Sequence, residues 1–255
     1  MLAVERHDKI LEILRQRRSI TLDALAEEIG VSSSTVRRDL EQLEPAGEVQ
    51  RTHGGAIYVG EKNGVGRPYA FDQRLSFRLD AKRKIAKAAR SLVSPGQTIL
   101  IDGGTTTFYF AQELTGIPMQ IVTNSLPIAQ QFHADENVEL ILTGGLAYPR
   151  YGVLLGPMAE QTIGLIHTQT LFIAVAGVHG GFLYNQNQLL VSAEQQMIRQ
   201  SQQMVLLCDS AKFHQQALSK LCALDEVDIV VTDAEPNEDD AAMLARAGVR
   251  TIVAM

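Results

Sequence analysis

The segment "VSSSTVRRDLEQL", residues 31–43, decides how the first sixty residues fold. Val36, Leu40 and Leu43 recur at helical spacing and form one apolar stripe that neighbouring elements must cover. Ser32 suits an N-cap, because its hydroxyl can accept from an amide of the first turn that has no helical partner. On the helical wheel Ser34 and Arg38 point almost directly away from the stripe, with Ser33 and Arg37 nearer its shoulders. The spacing thus predicts a short helix whose exposed N-terminal half carries Ser32, Ser33, Ser34, Thr35, Arg37 and Arg38.

Upstream, "RHDKILEIL", residues 6–14, predicts a first helix from Ile10, Leu11 and Leu14. "TLDALAEEIG", residues 21–30, predicts a second, with Thr21 as N-cap and Gly30 as its stop. A helix, a short glycine turn, and a capped helix with guanidiniums at its N-terminal end form the layout of a helix-turn-helix reader of double-stranded DNA. Helix N-terminal amides favour phosphate, and arginine can grip a phosphate or a guanine edge. Asp39 at such a surface would repel DNA, so it is expected to be an internal partner for one of the arginines. Downstream, "GEVQRTHGGAIYV", residues 47–59, predicts a two-stranded wing around its tight "GG", with Arg51 and His53 near the sugar-phosphate backbone.

Charge distribution agrees with a DNA-facing N-terminal part. The chain of 255 residues is acidic overall, at −6, yet residues 1–90 hold 17 Lys and Arg against 13 Asp and Glu. Residues 91–255 hold 6 against 16. The N-terminus lacks the basic start and greasy centre of a signal peptide, and no apolar run is long enough to cross a bilayer; a cytoplasmic protein without membrane contact is expected. Cys208 and Cys222 belong to no CxxC or Cys/His cluster, and the six histidines are scattered, so neither metal nor cofactor is expected.

"GEKNGVGRPYAF" reads as an interdomain linker, placed at 60–73 between a DNA-binding domain at 1–59 and a larger domain at 74–255. "DQRLSFRLDAKRKIAKAARSLV" predicts a basic amphipathic helix with Ile85, Ala89 and Leu92 inward. Beyond it, "TILID", "QIVTN", "VELILTGG", "LFIAVAG", "MVLLCD", "DIVVTD" and "RTIVAM" predict buried strands, with helices starting near 106, 126, 157, 191 and 237. Such alternation predicts an α/β domain with a mainly parallel sheet, whose ligands bind beyond the carboxyl edge of the strands. The richest strand end is "IDGGTTTFYFAQEL", residues 101–114, where glycines, threonine hydroxyls and a helix N-terminus together suit a phosphate. It is not a Walker A loop, because no GK[ST] follows. Lys212, after Asp209 and Ser210, and Arg150 in "AYPRYG" are the candidate cations for that phosphate.

The run Arg6, Ile10, Leu14, Ser32, Thr35, Val36, Arg37, Arg38, Asp39, Leu40 and "RTHGGA" at 51–56 resembles the N-terminal domain of the DeoR family of bacterial repressors. "KIAKAARSLVSPGQTILIDGGTTT", "IVTNSLPIA", "LTGG", "LLGP", "LLCDSAKF" and "IVVTDAE" resemble successive motifs of the sensor domain of that family, from about 75 to 250. The resemblance implies a winged helix-turn-helix followed by a domain similar to ribose-5-phosphate isomerase. It further implies a repressor of a sugar or polyol catabolic operon, released from its operator when a phosphorylated intermediate binds. A homo-oligomer is implied by half-site reading. By this carry-over the effector pocket holds Asp102, Gly103, Gly104, Thr105, Thr106, Asn124, Ser125, Gly144, Gly145 and Lys212, with Arg150 added as a cation. Three positions depart from the family pattern: Glu194 stands where a lysine is common, Ser192 where a glutamate is, and Ala81-Lys82 where Glu-Lys is usual.

Two other functions compete. A sugar-phosphate isomerase needs a carboxylate base, but the segment resembling the acidic strand end of that enzyme, "AVAGVHG" at 174–180, has Ala176, His179 and Gly180 in place of its three acids. A DNA-binding protein with a vestigial sensor domain would differ by showing no ligand-dependent release.

Overall fold

The computed structural model describes residues 3–17, 19–44, 49–52, 54–58 and 70–254. His53 and residues 60–69 of the expected linker lie outside the described residues. The chain divides into two compact units, residues 1–69 and 70–255.

In the first unit, α1 (Ala3–Arg17) leads through β1 (Ser19–Thr21) to α2 (Leu22–Ile29) and α3 (Ser33–Leu43), followed by β2 (Val49–Thr52) and β3 (Gly55–Tyr58). Thr21 caps α2 as expected, accepting from the Ala24 amide, and the helix ends at Gly30 with φ +78°. Ile10, Leu14, Leu25, Val36 and Leu40 are fully buried in one core, each contributing about 1.5–3 kcal/mol through its burial. The predicted hairpin is present, with Thr52 opposite Gly55. A third strand was not anticipated: β1 pairs with β3, giving the antiparallel order β1-β3-β2. Gly55 permits it, because a Cβ there would lie 2.2 Å from the Ile20 carbonyl oxygen.

The second unit starts inside the stretch read as linker. Phe71, 4% exposed, opens α4 (Phe71–Ser76), and its amide donates to the Arg150 carbonyl at 2.8 Å. The single basic helix expected here is two helices. Arg78, at φ 49°, turns the chain between α4 and α5 (Leu79–Ala89), and a 3-10 turn over Arg90–Leu92 follows. The break is held by the Arg78 guanidinium, which pairs with Asp209 at 3.0 Å and Asp233 at 2.8 Å.

The chain then alternates through β4 (Thr98–Ile101), α6 (Thr105–Gln112), β5 (Met119–Thr123), α7 (Leu126–Phe132) and β6 (Val138–Leu142). A hairpin of β7 (Leu146–Tyr148) and β8 (Val153–Leu155) precedes α8 (Pro157–Gly164) and β9 (Thr168–Ile173). Then come β10 (Gly177–His179), β11 (Phe182–Asn185), α9 (Gln188–Arg199), β12 (Ser201–Leu207), β13 (Ser219–Ala223), β14 (Ile229–Thr232), α10 (Glu238–Arg246) and β15 (Arg250–Val253).

All seven strands expected from apolar runs join one parallel sheet in the order β15-β14-β12-β9-β4-β5-β6. Their side chains alternate between two cores. Leu100, Val122, Leu171, Leu206 and Val230 face one, with Ile163, Val191, Met197 and Leu244 of the helices. Ile99, Ile121, Phe172, Val205 and Ile229 face the other, under Ile85, Phe110, Ile128 and Phe132. Because both faces are covered, these strands read as continuous apolar runs rather than as alternation. The antiparallel sheet β10-β11-β13 adds Val178, Leu183 and Leu221 to the first core and was not anticipated.

Strand order also fixes where a ligand can sit. From β4 the chain moves outward to β5 and β6 on one side, while β9, β12, β14 and β15 build outward on the other. The loops after β4 and β9 therefore diverge at their carboxyl ends, which is the topological switch point of an open α/β sheet.

Candidate functional site

In the first unit the hydroxyl-rich start of α3 is partly occupied with its own structure. Ser32 caps the helix, accepting from the Thr35 amide at 3.2 Å, and its hydroxyl also meets those of Ser34 and Thr35. Ser33 donates to Asp23 at 2.8 Å, tying α3 to α2. Ser34, Arg37 and Arg38 are exposed, and neither arginine makes an ion pair with the described residues. Asp39 does pair with an arginine, and that arginine is Arg6 of α1. Two hydrogen bonds of 2.5 and 2.9 Å join them, with His7 at 3.1 Å. Burial alone would raise the pKa of Asp39, but the Arg6 and His7 hydrogen bonds outweigh it and hold the carboxyl below its ordinary range. Asp39 thus locks α3 to α1 from the buried side of the helix, and Arg37 and Arg38 stay exposed on its outer side.

Arg51, expected near the DNA backbone, has partners within its own unit. Its guanidinium is engaged by Glu41 at 2.7 Å and Glu44 at 2.8 Å, and its amide donates to Glu44 at 3.0 Å. These bonds brace the wing against the C-terminal end of α3.

In the second unit, a small cavity of about 60 Å³, open to solvent, lies at the switch point. It is lined by Asp102, Gly103 and Gly104 after β4, Ala174–Ala176 after β9, and Lys212 after β12. Arg74 of α4, Tyr151, and Asn185, Gln186, Leu190 and Glu194 complete it. Gly103 is required by packing, since a Cβ there would lie 2.1 Å from Val153 Cγ1. Gly104 starts α6 without a side-chain cap, so the first amides of that helix keep no such partner.

Of the expected effector residues, Asp102, Gly103, Gly104 and Lys212 reach this cavity and the others do not line it. Thr105 and Thr106 are buried in the first turn of α6. The Asn124 backbone is paired with Leu154, while Ser125 caps α7. Gly144 and Gly145 follow β6; a Cβ on Gly145 would lie 2.7 Å from the Leu155 carbonyl and 3.1 Å from Ala159 Cβ of α8, so Gly145 lets the loop pack there, while Gly144 borders open space. Arg150 accepts the Phe71 amide through its carbonyl, so its backbone serves the seating of α4. His179 is exposed on β10 and outside the cavity lining.

The electrostatics of the cavity are mixed. Burial pushes Asp102 up to about 6, against the backbone amides of Gly103 and Ala174 that favour its charge. Glu194 is raised well above the carboxylate range, first by burial and then by the like charge of Asp102. Burial lowers the pKa of Arg74. Beneath it, Lys82 donates to the Arg74 carbonyl and is lowered to about 7, chiefly by burial and next by Arg74. Arg74 and Lys212 supply cations, and Asp102, Glu194, Asn185, Gln186 and Tyr151 supply donors and acceptors. That set suits an anionic, hydroxyl-bearing small molecule.

Residues 6–62 match the DeoR-like helix-turn-helix domain and residues 78–234 the DeoR C terminal sensor domain. The chain belongs to the DeoR family. This DeoR-family chain is 33% identical over 236 residues to a Bacillus subtilis protein named as an uncharacterized HTH-type transcriptional regulator, YulB, spanning 92% of this chain and 90% of that one. It is 30% identical over 249 residues to the HTH-type transcriptional regulator UlaR of Shigella dysenteriae serotype 1, spanning 98% of each. Ribose 5-phosphate isomerase from Methanocaldococcus jannaschii superposes with a TM-score of 0.40 at 19% identity, over 53% of this chain and 54% of that one. The DeoR-family chain is therefore a helix-turn-helix transcriptional regulator with a sensor domain. None of its described helices is long and apolar enough to cross a membrane.

Sequence reasoning singled out Glu194 only as a departure, and it missed Arg74, Tyr151, Asn185 and Gln186 as cavity residues. Arg74 was concealed because "FDQRLS" reads as the start of a longer surface helix.

Proposed function

We propose that this regulator represses a sugar or polyol catabolic operon in the cytoplasm, and that a phosphorylated intermediate bound in the sensor cavity releases it from operator DNA. The observation that carries this reading is the cavity at the switch point, where Arg74 and Lys212 stand beside the glycine loop that opens α6. Two cations and a helix start without a side-chain cap favour a phosphate, and the neutral and acidic groups around them favour hydroxyls. Ser34, Arg37 and Arg38 are the proposed DNA contacts of α3, with Ser32, Ser33 and Thr35 shaping its N-terminal turn, and the protein binds as a symmetric homo-oligomer whose heads read two half-sites. Release follows from linkage: an effector that binds the free protein more tightly than the DNA complex must weaken DNA binding by the same factor.

The test uses the full chain and DNA from the region upstream of its own gene. Fluorescence anisotropy should show binding that millimolar phosphorylated sugars reverse and the corresponding free sugars do not. In parallel, the phosphorylated compound should raise the melting temperature more than the free sugar. Equal shifts for both would remove phosphate from the reading, and DNA binding indifferent to every sugar and sugar phosphate would favour a vestigial sensor domain. Purified protein should form no product from ribose 5-phosphate, since Ala176, His179 and Gly180 stand where an isomerase would hold acids.

A further inference from the structure

Glu194 on α9 holds a carboxyl oxygen that the described protein leaves unserved. Its Oε1 accepts from Asn185 Nδ2 at 2.6 Å. The Asn185 amide cannot turn to assist further, because its Oδ1 accepts the Ala176 amide at 3.0 Å. That arrangement settles which Glu194 oxygen remains. Oε2 is buried without a hydrogen-bond partner, on a residue only 2% exposed that lines the cavity with Arg74, Asp102, Gln186 and Lys212. A buried polar atom left unmatched weakens the empty state, so a ligand atom that matches it gains affinity and selectivity.

We propose that Glu194 is a specificity-determining residue that hydrogen-bonds a hydroxyl of the bound effector, so that the cavity selects a polyhydroxyl phosphate over a phosphate ester with a bare hydrocarbon chain. The proposal rests on the phosphorylated-effector function above. A hydroxyl is the matching group because it serves both protonation states of Glu194: it donates to the carboxylate and accepts from the acid. An ammonium would suit only the ionised form and a second anion only the acid. Burial and the neighbouring Asp102 raise Glu194, while Asn185 and Arg74 oppose them. Arg74 and Lys212 remain for the phosphate, which divides the cavity between charge recognition and hydroxyl recognition.

The experiment measures calorimetric affinity of the full chain for ribitol 5-phosphate and sorbitol 6-phosphate, each against the straight-chain alkyl phosphate of the same carbon number. Wild type should prefer at least one polyol phosphate over its alkyl counterpart by about tenfold or more, the scale of one lost hydrogen bond to a buried group. Glu194→Leu should bring that ratio to within about twofold by weakening the polyol phosphate alone. Glu194→Gln keeps an acceptor for Asn185 and guards against misfolding; it should fold with an unchanged circular dichroism spectrum and give an intermediate ratio. Equal affinity of wild type for a polyol phosphate and its alkyl counterpart, or a preference that survives in Glu194→Leu, overturns the role of Glu194 while leaving the phosphorylated effector in place. If neither class of phosphate binds the wild-type chain, the phosphorylated-effector function falls, and this proposal with it.

Discussion

Arg38 and Arg51 are both exposed arginines of the DNA-binding unit, and their surroundings predict different responses to salt. Arg38 stands on the outer face of α3 without an ion pair among the described residues, whereas Arg51 is held by Glu41 at 2.7 Å and Glu44 at 2.8 Å. An arginine free to neutralise a phosphate releases about 0.9 of a counterion, so Arg38→Ala should reduce the slope of log K against log salt by about 0.9 for each seated head. Between about 50 and 200 mM salt, a fourfold change, the ratio of wild-type to variant affinity should then fall about 3.5-fold for one head, or about 12-fold for a symmetric pair. Arg51→Ala should change the slope little, because removing a cation already neutralised by two carboxylates releases few counterions. Its effect should appear instead as a lower melting temperature for the wing. Anisotropy titrations of wild type, Arg38→Ala and Arg51→Ala against one operator fragment at four salt concentrations decide the matter. An unchanged slope for Arg38→Ala, or an equal loss for Arg51→Ala, would falsify the division of labour between the two side chains.

Arg74→Gln should leave operator affinity intact while lowering affinity for a phosphorylated sugar at least about tenfold, producing a repressor that ligand no longer releases; normal release by the same ligand would take Arg74 out of the cavity chemistry. Lys82 has its pKa lowered to about 7 by burial, so the unfolded chain binds the extra proton between about pH 7 and its ordinary value of 10.5. Its contribution is therefore most unfavourable below pH 7 and eases as pH rises through that window. Denaturant melts should show wild type gaining stability relative to Lys82→Met from pH 7 to 10, and parallel pH profiles would contradict this. Gly55→Ala places a methyl 2.2 Å from the Ile20 carbonyl oxygen and should cost about 1–3 kcal/mol in the first unit. Scanning calorimetry should register that loss in the transition of residues 1–69 with the larger unit unaffected, and a melt identical to wild type would show that β1 need not pack there.

Periodicity in the sequence determined which segments become helices and strands wherever burial is one-sided or complete. Val36, Leu40 and Leu43 announce α3 because one face of a helix must be apolar, and "TILID" or "DIVVTD" announce central strands because both faces of a parallel sheet are covered. The glycines of "IDGGTTT" likewise marked a loop that lines the cavity, whereas its threonines turn into the structure instead. Short elements escaped notice. The strands β1 and β13 are three and five residues long and pair with strands distant in sequence, and β10 is only three residues long, so local pattern carries little of their signal. The division of the basic helix at Arg78 depends on Asp209 and Asp233, more than 130 residues away. Composition of the cavity is the larger lesson. Residues 74, 102–104, 151, 174–176, 185, 186, 190, 194 and 212 meet where β4 pairs with β9, a pairing of strands some seventy residues apart in the chain. A sequence can offer the arginine, the glutamate and the glycines, but the crossover between β4 and β9 decides that they share one space.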